Sequence, residues 1–331
     1  MPQSAINIVF GAMTFGSSAE QSRTTSLDDC AAILDIFQKH GHKEIDTARV
    51  YGLGTSEEYL GKLKWQERGL IMDTKLYPSK AGWLTETTIT HGPEDLRKHL
   101  ELSLKALNAK KIDMWYLHGP DRSVPYEVTM REVDRLHREG LFDKFGISNY
   151  MSWEVAQICE ICDRHGWIKP SAYQGIYNAI HRTVEPELFP CLRHYKMSFY
   201  AFNPLGGGFF AGNFKKEEKV EEGSRFDPER KQGQMYRTRY WNDAYFEALD
   251  MIRPVAEKHN LTLAEVALRW MSHHSLLKRE HNDAILIGAS STKHIEQNLI
   301  DLEKEALPEE VVQVLDKAWT HVKAHASKYY H

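Results

Sequence analysis

The sequence predicts an α/β protein built as a (β/α)8 TIM barrel, with a long lid loop after the seventh strand and an extra C-terminal helix. Three observations predict it. Eight short runs rich in β-branched and aromatic residues alternate with longer helical patterns, as parallel βαβ units require. The 331 residues, 42% of them apolar, suffice for the large core of one barrel domain over residues 1–331. Polar residues gather at the C-terminal ends of the early strands, the end where barrels of this kind keep their chemistry. A doubly wound open sheet also satisfies the alternation, but the eightfold count favours closure.

The elements follow in order. Residues 6–10 read as a first strand, after which Cys30, Ile33, Leu34 and Phe37 recur at helical spacing. Residues 44–47 form a short second strand, and the Thr-Ser-Glu-Glu run at 55–58 offers a capping box for the next helix. A third strand covers 70–75, and Leu96, Leu100, Leu104 and Leu107 make one helical stripe behind it. Strands four to eight are expected at 112–117, 144–148, 172–177, 198–202 and 284–288. Helices are expected at about 126–138 and 153–165, and around Leu263, Val266, Ala267, Trp270 and Met271. Pro308 opens the additional helix that carries Val311, Val312, Leu315, Ala318 and Trp319. The stretch 213–242 is long, polar and charged, and its place after strand seven marks it as a lid.

Composition excludes several classes. A net charge of −4 with 27% charged residues describes an ordinary surface, with no attraction for nucleic acid or an anionic membrane. No secretory signal opens the chain, and no run approaches the roughly 18 apolar residues of a membrane span. Cys159 and Cys162 have redox or zinc spacing but lie in a predicted helix with no second pair nearby, so buried free thiols are expected. Nor do the pairs His273–His274 and His321/His325 supply the ligands of a metal-dependent barrel hydrolase. No metal is expected, and the cytoplasm is the expected compartment.

Chemistry concentrates at four residues. Asp46, Lys75 and His118 end successive strands, and Tyr51 follows Asp46 closely. A buried lysine needs a partner, and Asp46 is the natural one. An ammonium ~4 Å from a phenolate is worth about 4 kcal/mol at an effective dielectric of roughly 20, or about three pKa units. Less what Asp46 takes back, that would draw Tyr51 towards neutral pH, where a general acid works best. His118 could then stabilise a carbonyl oxygen as charge grows on it. A hydride donor usually announces itself by glycines. Gly52 and Gly54 begin such a fingerprint, but Glu57 at its sixth position would repel a pyrophosphate. Residues 206–212, after strand seven, make a better anion cradle, and residues 288–291 lead into a helix N-terminus suited to phosphate.

Together these segments resemble the aldo-keto reductase superfamily along almost the whole chain, with the aflatoxin-aldehyde and succinic-semialdehyde reductase subgroup the nearest likeness. The marks are residues 10–16 (Phe-Gly-Ala-Met-Thr-Phe-Gly), 45–48 with Tyr51, 116–121 (Tyr-Leu-His-Gly-Pro-Asp), 146–150, 173–178, 187–194, 199–205, 236–241 and 290–298. The resemblance implies a catalytic tetrad of Asp46, Tyr51, Lys75 and His118. It implies that Asp46, Ser148, Asn149 and Gln174 meet the nicotinamide end of the cofactor and that Phe202 lies on the ring. Asn203, Pro204, Leu205, Gly206, Gly207, Gly208, Gly212 and Asn213 would follow the pyrophosphate. Arg225, Ser290, Ser291, Lys293, Gln297 and Asn298 would take the adenosine and 2′-phosphate, which favours NADPH over NADH. Tyr236 and Arg239 match a lid pair that meets acidic substrates. His331 stands where relatives end in an arginine and would weaken carboxylate capture, so succinic semialdehyde is not expected as the main substrate.

The implied function is NADPH-dependent reduction of aldehydes and ketones, including dialdehydes and semialdehydes, in a detoxifying role and as a homodimer. The alternative from another class is a cofactor-sensing regulatory subunit, against which the short stretch before residue 6 argues.

Overall fold

A computed structural model describes residues 4–18, 22–82, 85–210, 214–216, 220 and 224–331. Eight strands, β1 (Asn7–Gly11), β2 (Glu44–Asp46), β3 (Ile71–Leu76), β4 (Ile112–Leu117), β5 (Phe142–Ser148), β6 (Ala172–Ile176), β7 (Ser198–Phe202) and β8 (Ala284–Ile287), close into a barrel. Every neighbouring pair is parallel, β8 pairing back onto β1. The predicted strands all appear, none displaced by more than two residues at either end.

Helices α1 (Leu27–Lys39), α2 (Thr55–Lys62), α3 (Pro93–Ala106), α4 (Tyr126–Arg138), α5 (Ser152–His165) and α6 (Leu188–His194) follow the first six strands. After β7 come α7 (Lys231–Tyr240), α8 (Asp243–Lys258) and α9 (Leu263–His273). After β8 come α10 (Thr292–Glu303) and the additional α11 (Glu309–Val322), which packs on α8.

Strand alternation divides the core in two. Outward residues such as Phe10, Ile45, Met72, Trp115, Phe145, Tyr173 and Phe199 pack against the helices as the main apolar core. The inward set is mixed. Val9, Met114, Ala172, Ala284 and Leu286 fill part of the interior, Tyr116 and Tyr200 more of it, but Asp46, Asp73, Lys75 and Gln174 are buried there as well. The Tyr116 ring fits because β5 opposes it with Gly146, where a Cβ would sit 2.3 Å from the ring.

Two expectations need correction. The capping box at 55–58 does not form: α2 has Gly54 as its N-cap, in the left-handed region at φ +94°, and the Thr55 hydroxyl instead donates to the Gly52 carbonyl and accepts from Ser17 N–H. The segment after β7 is not a plain polar loop. Its described part contains α7 and buries Phe226, Tyr236 and Tyr240 in an aromatic cluster with Phe209, Phe214 and Trp241.

Candidate active site

Asp46 is the last residue of β2, and Lys75 stands on β3 one inward step above Asp73, which is the register partner of Asp46. The Lys75 side chain is fully buried and its Nζ donates to Asp46 Oδ2 at 2.5 Å and to the Thr47 carbonyl at 2.6 Å. Gln174 Nε2 from β6 donates to the other Asp46 oxygen at 2.8 Å. Tyr51 begins a tight turn whose next residues, Gly52 and Leu53, both have positive φ. Its ring lies 5.1 Å from Lys75 Nζ and meets the His118 ring edge-on, centroids 5.7 Å apart. The structure thus brings together all four residues of the expected tetrad.

Their electrostatics differ from the sequence expectation in one respect. The Tyr51 phenol is held well above the usual tyrosine range, first by burial and then by the Asp46 charge, with Arg225 pulling the other way. The Lys75 ammonium is held by Asp46 and the Thr47 carbonyl. Lys75 is itself lowered by burial, against the pull of Asp46. His118 is depressed well below the usual histidine range by burial, then by Lys75 and His331, and its Nδ1 is buried without a partner among the described residues. At neutral pH the phenol is therefore protonated and the imidazole uncharged.

Around this cluster lie the other expected residues. Ser148 ends β5, and Asn149, in the left-handed region at φ +66°, donates to Ser148 Oγ and the His118 carbonyl. Half-buried Phe202 ends β7 at the mouth. Asn203 follows at φ +59°; its Oδ1 accepts from Tyr236 Oη at 3.2 Å and its Nδ2 is buried without an acceptor among the described residues. Pro204 is buried and Leu205 half-buried. Gly206, Gly207 and Gly208 all have positive φ, and a Cβ on Gly207 would lie 2.3 Å from the Tyr236 ring. As an anion cradle this loop is poorer than its composition suggests, because the N–H groups of Gly206, Gly208, Phe209 and Phe210 already bond within it. Gly212 and Asn213 lie outside the described residues.

At the far end, Ser291 caps α10 by accepting from His294 N–H, and Ser290 Oγ meets the His294 ring. Arg225 lies over the Tyr236 ring and beside Gly288, with no carboxylate paired to it among the described residues. Lys293 is exposed on the first turn of α10. Gln297 spends its amide on Asp301, and Asn298 is buried, so these two are less available than the resemblance implies.

The substrate side holds half-buried Arg239, also without an ion pair among the described residues. It faces His331, which burial and then Arg239 and Arg122 push down to about 4. His331 is anchored by its N–H to the Asn149 carbonyl and by Arg122, itself paired with the buried carboxylate of Glu154. Sequence reasoning missed Tyr77, whose ring meets His118 at 5.4 Å and His331 at 6.5 Å. Its position just beyond the end of β3, like that of His118 beyond β4, was the available signal.

Glu57, which disqualified the Gly52–Gly54 fingerprint, is buried and bonded to Arg49 and Thr74. The thiols of Cys159 and Cys162 are free and pushed up to about 12 by burial. His273, His274 and His321 each bond elsewhere, and no metal-binding group of His, Cys, Asp or Glu occurs among the described residues. None of the described helices is long and apolar enough to cross a membrane.

Against known proteins, the model of the aldo/keto reductase family matches residues 7–320. The chain belongs to the aldo/keto reductase family. Across its full length this aldo/keto reductase is 48% identical to the aldo-keto reductase pigE of Monascus ruber, taking in 98% of that protein. It is 42% identical to aldo-keto reductase family 7 member A3 of Homo sapiens and 39% identical to human aflatoxin B1 aldehyde reductase member 4, covering 96% of this chain and 94% of each relative. Membership makes it an oxidoreductase of carbonyl compounds, in a family that generally draws on a reduced nicotinamide. Its residues fit such a dinucleotide. Among the described residues, Asn203 offers a buried amide without an acceptor, Arg225 a guanidinium without a carboxylate, and α10 a helix N-terminus beside both Ser290 and Ser291.

Proposed function

We propose that this chain is an NADPH-dependent reductase, acting as one unit over residues 1–331 in the cytoplasm, that converts aldehydes and ketones to alcohols, dialdehydes and semialdehydes among them. The observation that carries the reading is Tyr51, a phenol kept protonated beside a buried ammonium and edge-on to a neutral imidazole.

Asp46, Ser148, Asn149, Gln174 and Phe202 would hold the nicotinamide end, residues 203–208 the pyrophosphate, and Arg225, Ser290, Ser291 and Lys293 the 2′-phosphate. Bound there, the reduced nicotinamide supplies the hydride that reaches the carbonyl carbon. As the C–O π pair retreats to oxygen, the Tyr51 O–H breaks and its proton passes to that oxygen, giving the alcohol. The phenolate left behind faces the Lys75 ammonium, and solvent restores the proton. Asp46 keeps Lys75 charged in a site that would otherwise discharge it. His118, being neutral, donates a hydrogen bond to the carbonyl oxygen without competing as an acid.

Loss of reduced-nicotinamide absorbance, followed against a panel of aldehydes and dicarbonyls with and without a chelator, tests this directly. Turnover that survives chelation is expected. Tight NADPH binding with no turnover on any substrate would replace the reading with that of a cofactor-sensing subunit.

Two variants probe the ends of the site. Arg225→Ala removes a charge-assisted contact worth about 1.5–3 kcal/mol, so KM for NADPH is expected to rise about tenfold or more while that for NADH changes little. Arg239→Ala should lower kcat/KM about tenfold for carbonyl compounds bearing a carboxylate and leave neutral aldehydes nearly unaffected. Equal losses on both substrate classes would remove Arg239 from substrate binding.

A further inference from the structure

Below the Asp46–Lys75 pair the barrel holds two more carboxyls. On β2, Glu44 is one inward step beneath Asp46, and on β3, Asp73 is one inward step beneath Lys75. Asp73 is 1% exposed, and neither of its oxygens receives an N–H or O–H donor among the described residues. Diagonal to it across the β2–β3 register stands the Glu44 carboxyl, and the two act on each other's titration. Two ionised carboxylates so placed in a buried site repel each other, and a proton kept by one relieves the repulsion.

Nothing nearby removes that repulsion. Facing the two carboxyls are Asp46 from β2, Lys75 from β3, Tyr116 from β4, Lys144 from β5 and Tyr200 from β7. Gln174 on β6 is uncharged, while β1 and β8 contribute apolar Val9, Ala284 and Leu286. Lys75 is bonded to Asp46, and Lys144 acts on Glu44 only behind larger contributions. Burial, followed by the charge of Glu44, pushes Asp73 well above the usual carboxylate range, and burial raises Glu44 too. Solvent reaches this end of the barrel. A cavity of about 200 Å³ lined by Asn7, His42, Lys43 and Glu44 opens at the N-terminal ends of the strands.

We propose that Glu44 and Asp73 share one proton inside the barrel, and that Asp73 is a positioning residue which, by keeping that proton, prevents a second negative charge from growing beneath Lys75. Loss of the proton would add that charge under the ammonium, hold the Tyr51 phenol more firmly to its own proton and slow donation to substrate. The second half rests on the reading of Tyr51 as proton donor; the first half does not.

Asp73→Asn and Glu44→Gln in the full chain test both halves. A carboxyl raised in the folded state binds a proton there that the unfolded chain has released, so stability falls as pH rises from the ordinary carboxyl range through the raised value. Denaturant unfolding across that window should show this slope in the unaltered protein and a shallower one in either variant. Parallel slopes would overturn the shared proton. For the second half, the alkaline fall of kcat in carbonyl reduction should move up by about one pH unit or more in Asp73→Asn. An unmoved alkaline limb alongside a changed stability slope would overturn the positioning role. If Asp73→Asn fails to fold, Glu44→Gln carries both measurements, with the alkaline limb then expected to move down, because Asp73 loses the neighbouring charge that helped it keep its proton. Failure of the Tyr51 reading would appear as turnover retained in Tyr51→Phe, which leaves the stability slope untouched.

Discussion

Replacing Tyr51 with Phe is expected to lower kcat for carbonyl reduction about a thousandfold, within the range that a positioned general acid contributes. Binding of reduced nicotinamide should barely change. The substitution removes one oxygen and no apolar contact, and the ring keeps its edge-on seat against His118. No other group in the cluster can stand in for the phenol. His118 is neutral and depressed well below its usual range, so it holds no dissociable proton to give at neutral pH. Lys75 is committed to Asp46 and the Thr47 carbonyl. Tyr77 also lies against His118, but from the His331 side. Single-turnover rates separate the chemical step from binding, and a loss below about tenfold would assign the proton to another donor.

How legible this site was depends on which interactions are local. The strands could be read because each is a short run whose pattern is set by its own two faces; in β2 and β3 even the inward polar residues, Glu44 and Asp46 and then Asp73 and Lys75, alternate with outward apolar or hydroxyl ones. That pattern put Asp46 and Lys75 on the inward face of neighbouring strands. It did not reveal how deeply Tyr51 is buried beside the Asp46 charge, and these two hold the phenol up where acidification was expected. Thr55 failed as a cap for a similar reason: its hydroxyl is taken by Gly52 and by Ser17, the latter 38 residues away in sequence. In the lid, Tyr236 and Tyr240 stand one turn apart on α7, but with only Gly233 for company on that face they make too short a stripe to read, and their partners Phe226 and Phe209 sit on other segments. A composition reading saw only the charged residues between them.

Lys75→Met should be the most damaging single change to stability as well as to turnover. It keeps much of the side-chain volume but leaves the Asp46 carboxylate, 2% exposed, with Gln174 Nε2 as its remaining side-chain donor among the described residues. Breaking a buried ion pair from one side costs about 3–5 kcal/mol, because a charge stays buried without compensation. A cost of that size is a large fraction of the stability of most domains. The deficit has a direction in pH. With its partner gone, Asp46 can relieve the penalty by taking up a proton in the folded state, and it does so at higher pH than in the unfolded chain. The folded variant then binds more protons than its unfolded form, so its stability rises as pH falls and the gap to the unaltered protein narrows. Asp46→Asn placed on top of Lys75→Met should recover part of the loss at neutral pH without restoring any turnover. A double variant no more stable than Lys75→Met would mean that the ion pair, rather than the buried charge, was the source of the cost.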